Sequence, residues 1–363
     1  MGGGFAESSR WASELSLASG YALREAVGMR RLTALALATL VLAIPNLAAA
    51  WGNSGHRMLG EAAMQALPLE LPAFLRTRQA VLDVGELSRE LDRSKGAGKI
   101  HDADRDPGHF IDLDEDGKVL GGPPMAPLSA TRAEYETALR AAGIDQWKAG
   151  YLPYAIVDRW QQLTADLAYW RVLKAAEANP RWIVNRAWYA TDRRRREALI
   201  LKSLGELSHL VGDGSQPLHV TTHFNGWGDY PNPQGYSTQR LHGPFESDLV
   251  LATVRPGAVA AQVARLNVCG CSIEQRTADY LIATGRQAIP FYEMEKAGGL
   301  TRGDPRGTVF ATTRIAVGAS ELRDLITEAW RASLDSKVGW RPIAVREVLA
   351  GRVDPYPALY GID

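Results

Sequence analysis

The chain has 363 residues, 46% hydrophobic and 23% charged, which excludes a disordered or coiled-coil protein. Basic and acidic side chains balance at 41 each, so no overall field draws the chain onto long nucleic acid or acidic lipid. Two cysteines exclude a disulfide-dense scaffold and any cysteine-rich zinc module.

From Met29 the chain reads MRRLTALALATLVLAIPNLAAAW. Arg30 and Arg31 form a positive n-region, Leu32 to Ile44 an apolar stretch, and Ala48-Ala49-Ala50 a small-residue cleavage site. This pattern predicts a secretory signal peptide with Met29 as the true start; the rival is a membrane anchor, for which the apolar stretch is short. Cleavage after Ala50 makes Trp51 the first residue of a near-neutral protein that is secreted or periplasmic. Residues 1–50 are therefore an extension and signal, and residues 51–363 one domain.

The remainder reads as helix. Tyr135 and Leu139 sit in a weak helical pattern. Ile156, Trp160, Leu163, Leu167 and Trp170 recur at three and four after Pro153, as one face of an amphipathic helix does. Leu204, Leu207, Leu210 and Val211 predict a second that ends near Gly212 to Gly214, and Tyr280 with Ile282 a weaker one. Ile315, Leu322, Ile326 and Trp330 predict a late one. Alternating β-branched runs are nearly absent, so the expected fold is all-α, a single multi-helix domain. Gly117 to Pro127 and Asn225 to Gly235 read as long loops flanking a site. Arg193 to Arg196 reads as a solvated helix face, with phosphate binding as the alternative. Cys269-Gly270-Cys271 admits a tight disulfide or a pair of metal ligands.

All seven histidines follow Ala50. His209 and Asp213 are four apart in a predicted helix, so both project from one face. His219 follows beyond a Gly214-Ser215-Gln216-Pro217 break, and His242 and Glu246 repeat the spacing of four. His109 opens the segment His109-Phe110-Ile111-Asp112, and His56 lies five residues after Trp51. Imidazole and carboxylate donors without thiolates suit zinc, and an inventory this large exceeds one ion.

In these landmarks the chain resembles the phospholipase C/P1 nuclease superfamily of exported zinc hydrolases. The blocks that carry the resemblance are Trp51-Gly-x-x-Gly-His56, His109-Phe-x-Asp112, His209-x-x-Gly-Asp213-x-x-Gln216-Pro217-Leu218-His219 and His242-x-x-x-Glu246. The resemblance implies an all-helical fold around three zinc ions. Asp92, His109, His209 and Asp213 would hold the first. Trp51, through its free α-amino group and carbonyl oxygen, would hold the second with His56 and Asp213, Asp213 bridging the pair. His219, His242 and Glu246 would hold the third. Asp102, Asp104 and Asp106 are alternatives to Asp92, since the family's tryptophan before that aspartate is missing here. Lys95 stands where the nucleases usually have arginine, a point charge in place of a bidentate donor. Paired zinc ions would activate water for attack on phosphorus, with the third ion stabilising the leaving oxygen.

The same resemblance implies Phe110 as a base-stacking ring and Asp112 as a hydrogen-bond partner for the base edge, which suits single-stranded nucleic acid or nucleotides. Glu246 points instead to the phospholipase branch and a phospholipid substrate, while the Trp51 to His56 spacing favours a nuclease and 3′-nucleotidase. A third reading is a zinc-binding protein without turnover. No obligate protein partner is expected, and the long stretch between His109 and His209 is expected to shape the entrance to the site.

Overall fold

The structure, a computed structural model, describes residues 51–361, so the predicted signal peptide lies outside the described residues. Helix dominates, and the only named strands among the described residues are β1 (Lys337–Val338) and β2 (Ile343–Ala344), an antiparallel hairpin. The all-α expectation holds. The helices of nine residues or more are α1 (Gly52–Gln65), α2 (Arg78–Leu87), α3 (Arg132–Ala141), α4 (Leu152–Ala178), α5 (Arg186–Ser215), α6 (Ile273–Gly285), α7 (Ala288–Lys296) and α8 (Pro305–Ala332). The long stretches 110–131 and 220–241 hold no helix, as their glycines and prolines predicted.

The start signals are local and chemical. The Thr131 hydroxyl accepts from the Glu134 amide while Glu134 accepts from the Thr131 amide, a reciprocal cap that begins α3. Asp304 caps α8 ahead of Pro305, and Pro153 occupies the first turn of α4.

α4 and α5 pack along one another, joined by the 3₁₀ segment Pro180–Asn185. The four predicted apolar positions of α5 are buried, but so is every residue from Ser203 to Ser215. A one-sided apolar pattern does not foresee this. α1, α2, α4 and α8 all contact α5 and cover its other faces, polar residues included. The Arg193–Arg196 run corrects the expectation of a solvated face. Arg194 and Arg195 do face out, but Arg193 pairs with Glu177 and Glu197, each at 2.6 Å. Arg196 reaches the buried Asp166 at 2.7 Å, where Ser203 also donates at 2.9 Å. These pairs hold α4 to α5.

Two apolar clusters result. The larger lies among α1, α2, the first half of α4, the second half of α5, α6 and α8. The smaller packs Ala168, Val172 and Tyr189 from the other ends of α4 and α5 against Val338, Val345 and Val348 near the C-terminus. The site therefore sits in the thicker, better-covered part of the chain.

One close approach decides how that part is assembled. A Cβ on Gly205 would lie 2.4 Å from Leu87 Cβ and 2.7 Å from the Leu87 carbonyl carbon. Glycine at 205 lets the end of α2 rest on α5, and the neighbouring Ser88 carbonyl then meets His209. Gly205→Ala is expected to lower stability by about 1–3 kcal/mol through this overpacking, measured as a shift in the denaturant midpoint at unchanged slope.

Candidate metal centre

Six backbone segments converge on one buried group of imidazoles and carboxylates. α1 carries His56, and the turn Glu90–Arg93 carries Asp92. His109 ends the 3₁₀ turn Asp106–His109, and α5 delivers His209 and Asp213 from one face. The 3₁₀ turn Pro217–His219 presents His219, and His242 precedes a π-helical turn, Pro244–Leu249, that carries Glu246. Such widened turns recur at functional sites.

These residues form three adjoining sets with ligand atoms close enough to share an ion: Asp92, His109 and His209; His56, His209 and Asp213; His219, His242 and Glu246. In the first, His109 Nδ1 lies 3.0 Å from His209 Nε2 and 3.0 Å from Asp213 Oδ2. Asp92 Oδ1 is 3.8 Å from His209 Nε2. The second carboxylate oxygen of Asp213 turns toward His56 Nε2, at 3.5 Å, so one buried side chain faces two sets. In the third, His242 Nε2 lies 3.0 Å from His219 Nε2 and 2.8 Å from Glu246 Oε2. A tetrahedral zinc ion with bonds of about 2.0–2.1 Å spaces its donor atoms on the order of 3.3 Å apart, the scale seen here.

Hydrogen bonds settle the roles of the ring nitrogens. His209 Nδ1 faces the Ser88 carbonyl at 2.8 Å, His219 Nδ1 the His109 carbonyl at 2.9 Å, and His242 Nδ1 the Phe224 carbonyl at 2.8 Å. A carbonyl only accepts, so each Nδ1 carries a proton, and Nε2 of the neutral ring presents a lone pair to its cluster. Outer partners of this type orient metal-binding histidines. Two Nε2 atoms facing each other at 3.0 Å, as in the His219–His242 pair, call for a shared proton or a metal cation between them. So does Glu246 Oε1, buried with no hydrogen-bond partner. On this donor chemistry the residues fit divalent metal ions.

The electrostatics agree. Burial pushes the Asp213 carboxyl well above the usual carboxylate range, and the neighbouring Asp92 adds to it. Burial lowers His109, His209 and His219, which favours neutral imidazoles able to bind metal. Burial opposes charge on His242 and Glu246 too, but their mutual attraction outweighs it, raising His242 and lowering Glu246. Metal there displaces a proton.

Glycine again permits the geometry. A Cβ on Gly212 would lie 2.8 Å from His56 Nδ1, which explains the small residue before Asp213. Trp51 is fully buried; its indole donates to Ser215 Oγ at 2.7 Å, and its carbonyl accepts from the Gly55 amide at 3.1 Å.

The expected aspartate ambiguity resolves in favour of Asp92. Asp102 is occupied with His101 and the Gly96 amide, and Asp104 and Asp106 line a cleft of about 490 Å³ beside the cluster. Lys95 Nζ pairs with Asp92 Oδ1 at 2.7 Å and, with His109, forms part of that cleft's wall. Burial opposes the Lys95 charge, but Asp92, Asp213 and Asp106 outweigh it and raise the ammonium. Tyr151, Tyr154 and Arg132 complete the wall, and no pattern in the sequence marked them. Phe110 is half-buried and Asp112 buried; neither lines this cleft. Cys269 and Cys271 are bonded to each other as a disulfide, so the metal-ligand alternative falls away. No family model and no curated protein matches the chain.

Two expectations follow. His209→Ala removes a donor shared by two clusters and is expected to release metal and lower the melting temperature, read by elemental analysis and calorimetry. Burial pushes the Asp112 carboxyl up to about 8. A carboxyl raised on folding favours the native state fully below its unfolded value and loses that contribution as pH rises through 8. Asp112→Asn, uncharged throughout, is expected to gain in melting temperature relative to the parent between pH 5 and pH 9; parallel curves would contradict the assignment.

Proposed function

We propose that the protein is an exported zinc-dependent phosphodiester hydrolase, an S1/P1-type nuclease and 3′-nucleotidase acting on single-stranded nucleic acid. The observation that carries the reading is Asp213: one buried carboxylate faces His56 with one oxygen and the His109–His209 pair with the other. The third set lies alongside, linked through the His219 Nδ1 contact to the His109 carbonyl. This placement suits three ions acting on one phosphate. Bound zinc would supply water activation and neutralise charge at phosphorus and at the leaving oxygen.

The chain's own residues supply position and field. Asp213 and His209 keep the first two sets together. Lys95, anchored by Asp92, offers a positive charge in the wall of the cleft, toward which a substrate phosphate can be drawn.

Trp51 enters here as a ligand through its backbone. It holds φ at 33°, a left-handed conformation that costs a non-glycine residue about 1–2 kcal/mol. Cleavage after Ala50 would free an amine on Trp51, the residue that precedes the helix carrying His56. A protein with one extra residue before Trp51 is expected to lose one zinc and most of its turnover. Trp51→Phe with a free amine should keep both, since only backbone atoms would bind.

Phospholipase C activity is the second reading, favoured by glutamate rather than aspartate at 246. The two separate in one assay of the zinc-loaded mature protein on single-stranded DNA, RNA, 3′-mononucleotides and phosphatidylcholine micelles. Turnover of nucleic acid and nucleotides is the expected result. Hydrolysis of the lipid alone would establish the second reading, and metal occupancy without any hydrolysis would leave a zinc-binding protein.

A further inference from the structure

The end of the molecule remote from the metal centre carries an apolar surface that the catalytic reading does not use. Trp340 sits at the tip of the β1–β2 hairpin and is 93% exposed, although a tryptophan ring gains most from burial. Val184 and Ile183, in the turn between α4 and α5, are 90% and 58% exposed. Tyr360 is 60% exposed on the C-terminal segment that braces the hairpin: the Trp340 amide donates to the Ala358 carbonyl at 3.1 Å, and the Tyr360 ring meets Trp188 at 5.7 Å. The patch is firmly supported from below, where Val338, Val345, Trp182 and Tyr189 share one buried cluster.

The charges around this patch have one sign to spare. Arg346 is neutralised by Asp335 and Arg352 by Glu347, each at 2.6 Å, while Asp354, which accepts from the Tyr189 hydroxyl at 2.6 Å, keeps its charge as one anion against the cations that follow. Lys337, Arg341 and Arg186 make no ion pair among the described residues, and the Arg181 guanidinium donates to the Gly351 carbonyl, a neutral group. The balanced total charge therefore conceals a local positive excess beside an exposed tryptophan. An amphipathic ring flanked by arginine and lysine is the combination that settles at a bilayer interface, where the ring enters the headgroup layer and the cations meet lipid phosphates.

We propose that this end of the protein docks on an anionic phospholipid bilayer, with Trp340 as the inserted side chain and Lys337 and Arg341 as its headgroup contacts. Tyr189, beneath the patch, precedes His209 by twenty residues of α5, on the order of 30 Å at 1.5 Å per residue. Docking there leaves the metal centre away from the membrane, so the proposal stands apart from the identity of the substrate.

The test is co-sedimentation of the full mature protein with vesicles of equal phosphatidylglycerol and phosphatidylcholine, and with vesicles of phosphatidylcholine alone. Binding is expected to the mixed vesicles, to weaken about fivefold or more on pure phosphatidylcholine and in high salt, and to fall by a similar factor in Trp340→Ala and in Arg341→Glu. Both side chains are exposed, so metal content and helical circular dichroism should not change. Failure of the parent protein to sediment, equal binding to both vesicles, or variants that bind like the parent would each overturn the proposal. A dimer seen by sedimentation velocity and dissolved by Trp340→Ala would also overturn it, assigning the patch to a second copy of the chain.

Discussion

Burying an unpaired carboxylate costs several kcal/mol, and this chain buries Asp213 completely while setting three imidazoles around it. The arrangement is unfavourable for an apoprotein: burial raises the Asp213 carboxyl and lowers His109 and His209, each shift opposing charge. It would become favourable with cations among these donors. Much else in the fold follows from keeping Asp213 at that point. The second half of α5, Ser203 to Ser215, is covered on every side, Gly212 admits His56, and Gly205 brings the end of α2 down so that Ser88 can orient His209. Metal bound there would be coupled to folding through the same residues.

The three ion sets differ in how they are held. The His209–Asp213 pair rides on a thirty-residue helix whose far half is locked to α4 by Arg193 and Arg196, so its geometry is rigid. The third set hangs on shorter devices: a 3₁₀ turn for His219 and a π-helical turn for Glu246, with His242 steadied by a loop carbonyl. The cleft beside the first set is bounded by the 91–109 segment and by residues from 130 to 161. The long stretch between His109 and His209 contributes Arg132, Tyr151 and Tyr154 to the wall of this cleft.

The long, strongly periodic helices were legible because a continuous apolar stripe leaves one reading, and α4, α5 and α8 all lie where the stripes predicted. The i, i+4 pairs were legible for the same geometric reason, and so were the two glycine- and proline-rich loops. α1, α2 and α7 had no such stripe. α1 packs largely through glycine and alanine, small residues that mark close approach only once a neighbour is known. The arginine run was misread because its partners, Glu177 and Asp166, come from another helix.

By itself, the sequence determined the helical class, the donor types and the order in which they occur, since these depend on composition and on spacing within one element. Only the tertiary structure decided which donors meet. Asp92 rather than Asp102, Asp104 or Asp106 faces His209, because the Leu87–Ser88 backbone rests on Gly205 and carries the next turn with it. The choice of ring nitrogen likewise rests on carbonyls of Ser88, His109 and Phe224, groups present in every residue and invisible until the backbone is placed. Long-range approach is set by packing, and packing has no signature in a local pattern.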